Sequence, residues 1–183
     1  MLTMKDIVRE GHPVLRQKAA EVSQPFSEED VAIANQLLEY VKNSQDPEIS
    51  LKHKLRPGIG LAAPQIGVSK RIFAMHVTDD EGNLFSYALI NPKLMSHSVK
   101  MTYLDGGEGC LSVDRDVPGL VPRYAKVTVK GYTPDGSLVE LKLKGLPGIC
   151  IQHEMDHLDG IMFYDRIDDK QPFEPPSNSA TVR

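Results

Sequence analysis

The chain of 183 residues contains only two cysteines, Cys110 and Cys150, too few for a disulfide scaffold, which leaves both thiols as candidate ligands or buried apolar groups. No apolar run approaches the ~18 residues that a membrane-spanning helix needs, so no membrane partner is expected. The first residues, Met-Leu-Thr-Met-Lys-Asp, lack the apolar core of a secretion signal, and a cytoplasmic location is the expectation. Strong charge of either sign is missing too. A net charge of −4 gives no overall attraction to nucleic acid, so no sequence-specific nucleic-acid partner is expected. Lys126, Lys130, Lys142 and Lys144 read as a solvated sheet face.

The length suits a single core. We expect one catalytic domain over 1–170 and a tail over 171–183, where Pro172, Pro175 and Pro176 argue against a stable helix. Ser27 followed by Glu28, Glu29 and Asp30 is an N-cap with an acidic first turn, and Val31, Ala34, Leu37, Leu38 and Val41 continue at helical spacing, predicting a helix over 28–44. One or two helical turns are expected within 49–55. From Arg71 the period becomes two, which predicts strands over 72–77, 87–91 and 98–104. A hairpin of 125–132 and 138–143 is joined by Thr-Pro-Asp-Gly, with Leu138, Leu141 and Leu143 available for burial. Strands without regular βα alternation indicate an α+β fold: mixed, mainly antiparallel sheets around a central helix, with an N-terminal helix.

That central helix is the chemically richest stretch. His153-Glu-Met-Asp-His157 is an H-E-x-x-H, and on a helix the two imidazoles stack one turn apart, able to reach one metal ion. Glu154 then lies beside the ion, placed to take a proton from water. Ile151, Met155 and Leu158 fall on the other side of the helix, available to pack on a sheet. A third ligand is still required. In the extended H-E-x-x-H-x-x-G-x-x-H pattern Gly160 is in place, but Phe163 occupies the third histidine position. Glu174 lies in the proline-rich tail, and Cys150 is about two helical turns from His157, too far to share an ion easily. Cys110, flanked by Gly106, Gly107 and Gly109, is the better candidate. A G-x-G-x-x-A at Gly58, Gly60 and Ala63 suggests a dinucleotide site, but charged residues precede it and Pro64 and Gly67 follow, so the strand and helix that such a site needs are not expected.

Three segments, Gly58-Ile-Gly-Leu-Ala-Ala-Pro-Gln65, Glu108-Gly-Cys-Leu-Ser112 and Gln152-His-Glu-Met-Asp-His157, together resemble the signature motifs of peptide deformylases, in the family's order. The extended segment before Gly58 resembles the longer form of Gram-positive bacteria. The resemblance implies hydrolysis of the formyl group from the formyl-methionine of nascent polypeptides, with release of formate. It implies Cys110, His153 and His157 as metal ligands, Glu154 as general base and acid, and Gln65 with the Leu111 N–H as oxyanion donors. Gly58, Ile59 and Gly60 would bind the peptide as an added strand, with Leu146 and Ile149 near the methionine side chain. One divalent ion per chain is implied, Fe(II) physiologically, with Zn, Ni or Co able to replace it. N-formylmethionyl nascent peptides are the implied partner. That substrate is compatible with transient ribosome contact, although the tail departs from the C-terminal helix by which some members dock. Glu108 and Arg123 are expected to pair and orient the cysteine loop. The alternatives from the residues alone are an H-E-x-x-H zinc endopeptidase and a non-catalytic, metal-stabilised binding protein.

Overall fold

The computed structural model describes Met1–Arg183. In chain order it has α1 (Glu28–Gln45), α2 (Pro47–His53), β1 (Gly60–Ala62), β2 (Ile72–Thr78), β3 (Leu84–His97), β4 (Met101–Leu104), β5 (Arg123–Tyr124), β6 (Lys126–Tyr132), β7 (Leu138–Lys144), α3 (Gly145–Leu158) and β8 (Ser179–Val182). Strands β1-β2-β3-β6-β7 form a five-stranded antiparallel sheet, while β5-β4-β8 form a smaller one in which β4 and β8 run parallel. The fold is α+β.

Helix α1 begins where its cap chemistry dictates: the Ser27 hydroxyl accepts from the Asp30 N–H at 3.1 Å. Its buried face, with Ile33, Ala34, Leu37, Tyr40 and Val41, packs on Leu61, Ile72, Ala74, Ala88 and Ile90 of the large sheet. Helix α3 covers the opposite face. Ile151 and Leu158 are fully buried against Phe73, Met75, Leu89, Val127, Val129, Leu141 and Leu143. The sheet curls around α3, so that Lys144 at the end of β7 reaches Glu81 in the β2–β3 turn at 3.3 Å. A third apolar cluster, including Val14, Cys110, Val121, Met162 and Phe163, closes the end of α3.

Three expectations need correction. Strand β3 runs unbroken through Pro92 and does not stop at residue 91. It survives because Asn91 has a φ of 52° and the register with β6 shifts between Ile90 and Lys93, and a bulge of this kind tolerates a residue with no N–H to donate. The third expected strand, over 98–104, is accordingly only Met101–Leu104. Leu138 does not join Leu141 and Leu143 in the core: it pairs with Tyr132 on the other face and is 57% exposed. The tail has no helix, as expected, but it ends in β8, which pairs with β4 from Met101↔Ser179 to Leu104↔Val182.

Candidate metal centre and active site

Strand β7 passes directly into α3, with Gly145 at a φ of 60° making the turn. Gly160, at φ 73°, ends this segment, and a β-carbon there would lie 2.6 Å from the Arg16 carbonyl. Between these limits α3 presents His153 and His157 on the side away from Ile151, with Glu154 flanking them. The Cys110 thiol comes from the glycine-bearing loop that follows β4. The Cys110 sulfur and one ring nitrogen of each histidine all lie within 4.8 Å of one another, and Cys110 Sγ is 3.4 Å from His157 Nε2.

These atoms fit a metal ion. Tetrahedral Zn–S and Zn–N bonds would put sulfur and nitrogen about 3.5 Å apart. The donor set, one thiol and two imidazoles, suits a borderline-soft transition metal. His153 donates through Nδ1–H to Glu108 Oε1 at 2.9 Å, which turns Nε2 toward the shared point. Burial alone would lower His153, but hydrogen bonds with Cys110 and Glu108 push it well above the ordinary histidine value. Burial and the neighbouring His153 push His157 well below it. A pocket that attracts a proton to His153 is one in which a dication can displace that proton.

Beneath these three side chains lies a chain of ion pairs. Burial would raise the Glu108 carboxyl, but hydrogen bonds from His153 and Arg123 hold it at about 2. Arg123 donates to both Glu108 oxygens at 2.9 and 2.7 Å and to Asp156 at 2.6 Å. Arg166 grips the same Asp156 at 2.6 and 2.7 Å. The Glu108–Arg123 pairing agrees with expectation. Asp156 and Arg166 were not foreseen. Asp156 lies one turn from His153 within the motif, and that spacing was the available signal.

Glu154 is buried, and burial raises its carboxyl to about 7, although His153 and Arg123 oppose the rise. Its Oε2 has no hydrogen-bond partner. Gln65 is buried beside the thiol. Its Oε1 accepts from the Ala62 N–H at 2.9 Å, which leaves the amide nitrogen to face Cys110 Sγ at 3.4 Å and Ser112 Oγ at 3.2 Å.

A cavity of about 300 Å³ opens onto these groups. It is lined by Gly58, Ile59, Gly60, Gln65, Cys110, Leu111, Leu146, Ile149, His153 and Glu154, so every expected site residue except the enclosed His157 borders it. Cys150 also lines it, and burial raises its thiol well above the ordinary range. The Gly58–Gly60 segment is held by the end of α1: Ser44 Oγ accepts from the Gly58 N–H at 3.2 Å, and the Gln45 amide donates to the Gly58 and His76 carbonyls at 2.9 and 2.7 Å. These α1 contacts were not anticipated, because Ser44 and Gln45 look like ordinary residues of a helix end.

An α+β fold with an H-E-x-x-H helix, a converging thiol and a buried carboxylate on an apolar cavity defines a metal-dependent hydrolase. The profile of the polypeptide deformylase family matches residues 4–173. Similar chains include peptide deformylase 2 of Geobacillus stearothermophilus, 63% identical over 182 residues and covering 100% of this chain and 99% of the relative. Peptide deformylase 2 of Bacillus cereus is 62% identical, covering 98% and 97%. Among solved structures, the peptide deformylase of Thermotoga maritima superposes with a TM-score of 0.71 at 33% identity, covering 88% of this chain and 96% of that one. The chain belongs to the polypeptide deformylase family. It is an enzyme that removes the N-formyl group from nascent polypeptides in a metal-dependent reaction.

Proposed function

We propose that Cys110, His153 and His157 hold the ion and that Glu154 moves the proton in this reaction. An ion bound there would supply a Lewis acid and acidify water at its open position. Glu154 takes a proton from the attacking water, whose oxygen bonds to the formyl carbon. The Gln65 amide and the Leu111 N–H donate to the carbonyl oxygen as it gains charge; a donor in this role is worth ~10²–10³ in rate. Glu154 then delivers its proton to the leaving nitrogen, the C–N bond breaks, and formate and the free amine depart. The observation that carries this reading is Glu154 itself, a carboxyl raised to about 7 with one oxygen unpartnered at the cavity.

The peptide lies along Gly58, Ile59 and Gly60 as an added strand, because β1 is an edge of its sheet. Leu146 and Ile149 offer an apolar surface to the methionine side chain. A class I type b deformylase of Acinetobacter baumannii, solved with Met-Ala-Ser bound, is 32% identical with a TM-score of 0.69, and supports this class of ligand for the cavity. Thiolate and imidazole ligands are compatible with Fe(II) as the working metal and with Zn, Ni or Co as substitutes. A nascent-chain substrate supports a cytoplasmic location, where chains are made. A single catalytic domain over 1–170 accommodates all of these groups. Protein purified without oxygen should contain one equivalent of a transition metal and release formate from formyl-Met-Ala-Ser while leaving a blocked internal peptide intact. Cleavage of the internal peptide would instead support an endopeptidase.

A further inference from the structure

The cavity has a direction. A β-carbon on Gly60 would collide with Glu154 Oε1, so the reacting end of a peptide lying along Gly58–Gly60 is the Gly60 end. Beyond it Leu61, Ala62 and Ala63 are fully buried, whereas residues 56 to 60 are each exposed or half-buried. A bound peptide therefore runs from Gly60 back toward Arg56, antiparallel to the chain it lies on. An extended strand advances about 3.3 Å per residue, and Pro57 keeps Arg56 out of helical geometry. The third or fourth substrate residue arrives at Arg56.

Arg56 is the one lysine or arginine that lines the cavity. Its Nη1 donates to the Val113 carbonyl at 2.9 Å and lies 3.5 Å from Asp114 Oδ1, which fixes the guanidinium beside the loop that carries Cys110. Asp114 is held more closely by Arg9, whose Nε donates to its two oxygens at 2.9 and 3.2 Å. Two guanidiniums thus share one carboxylate. Nε and Nη2 of Arg56 have no partner in the protein, and the side chain is 41% exposed. Lys52 and Lys54, just upstream, are exposed and lack a carboxylate partner as well. The acids on the cavity wall, Glu108 and Glu154, have buried side chains and do not offset the positive charge at this end.

We propose that Arg56 is a specificity-determining residue that favours an acidic side chain at the third or fourth position of the formyl-methionyl chain and disfavours a basic one. This rests on the added-strand reading of peptide binding. A planar fork with unused N–H groups matches a carboxylate. An exposed pair is modest in strength and screened by salt, so it ranks nascent chains and excludes none. The rival role for Arg56 is a strut that ties the Gly58 segment to the Cys110 loop through Val113. A strut would act on every peptide alike.

The test measures kcat/KM for formate release by full-length, metal-loaded protein from three C-terminally amidated peptides: formyl-Met-Ala-Glu-Glu-Gly, formyl-Met-Ala-Gln-Gln-Gly and formyl-Met-Ala-Lys-Lys-Gly. At low salt the wild type should favour the Glu peptide over the Lys peptide by ~3–10-fold, with the Gln peptide between them. The preference should fade at about 0.5 M salt. Arg56→Glu should reverse the order of the three peptides, whatever their common rate, whereas loss of a strut would lower all three together and keep the order. The strand reading is checked separately on the wild type: N-methylation of the second or third amide of the Gln peptide should raise KM. Indifference to both N-methyl groups would overturn the strand reading itself. With that response intact, equal kcat/KM for the three peptides, or an order that survives Arg56→Glu, would overturn the assignment to Arg56.

Discussion

A β-carbon at Gly60 would lie 2.5 Å from Glu154 Oε1, closer than any real contact. With Glu154 in its proposed role, the glycine is tied to the chemistry: backbone comes right up to the carboxylate, and only a residue without a side chain permits it. Gly60→Ala must displace either the Gly58–Gly60 segment or Glu154. A shift of about 1 Å in a reacting group costs on the order of 10² in rate. We expect a loss of that size in formate release, with the metal content of the purified protein unchanged because Cys110, His153 and His157 are not touched. Loss of the metal from this variant would mean that Gly60 supports the ligands rather than the base.

At the scale of elements, Arg123 joins parts of the chain that share no local sequence. It reaches from β5 to Glu108 on the cysteine loop and Asp156 on α3, and Arg166 adds a further segment through Asp156. Its side chain and that of Glu108 are 2% and 3% exposed. Breaking such a pair strands a buried charge and costs about 3–5 kcal/mol. Arg123→Met should lower the urea midpoint accordingly, and through Glu108 and His153 it should weaken metal affinity by ~10–100-fold in a chelator competition; a stability loss with unchanged affinity would confine Arg123 to folding. Sequence reading recovers what is local here. The α1 cap and period, the β6–β7 hairpin and the H-E-x-x-H face all follow from neighbours within a few residues. The path of β3 through Pro92 was not legible, because it depends on a bulge made against β6, and the Asp156–Arg166 link was not legible because no pattern pairs them.

For the molecule as a whole, the three motif segments contribute the cavity only because α1 and α3 clamp opposite faces of one sheet. β8 adds a different kind of closure. Four residues at the end of a proline-rich segment become a strand by pairing with β4, and Thr102 Oγ1 donates to the Ala180 carbonyl at 2.7 Å. Tail composition gives no hint of a strand whose partner lies so far back in the chain. Removing residues 179–183 should cost about 1 kcal/mol, or about 2–4 °C in melting temperature, and leave formate release intact, since no cavity-lining residue lies in β8. A truncated protein that melts as before would make the pairing energetically idle. In the proposed mechanism the ion and Glu154 are separate parts of one hydrolytic machine. The direct measurement is formate release per bound metal in Glu154→Ala. Glu154→Ala should hold one metal per chain, as in wild type, with a rate lower by ~10²–10⁴; a variant that keeps its metal and releases formate at the wild-type rate would remove Glu154 from the chemistry.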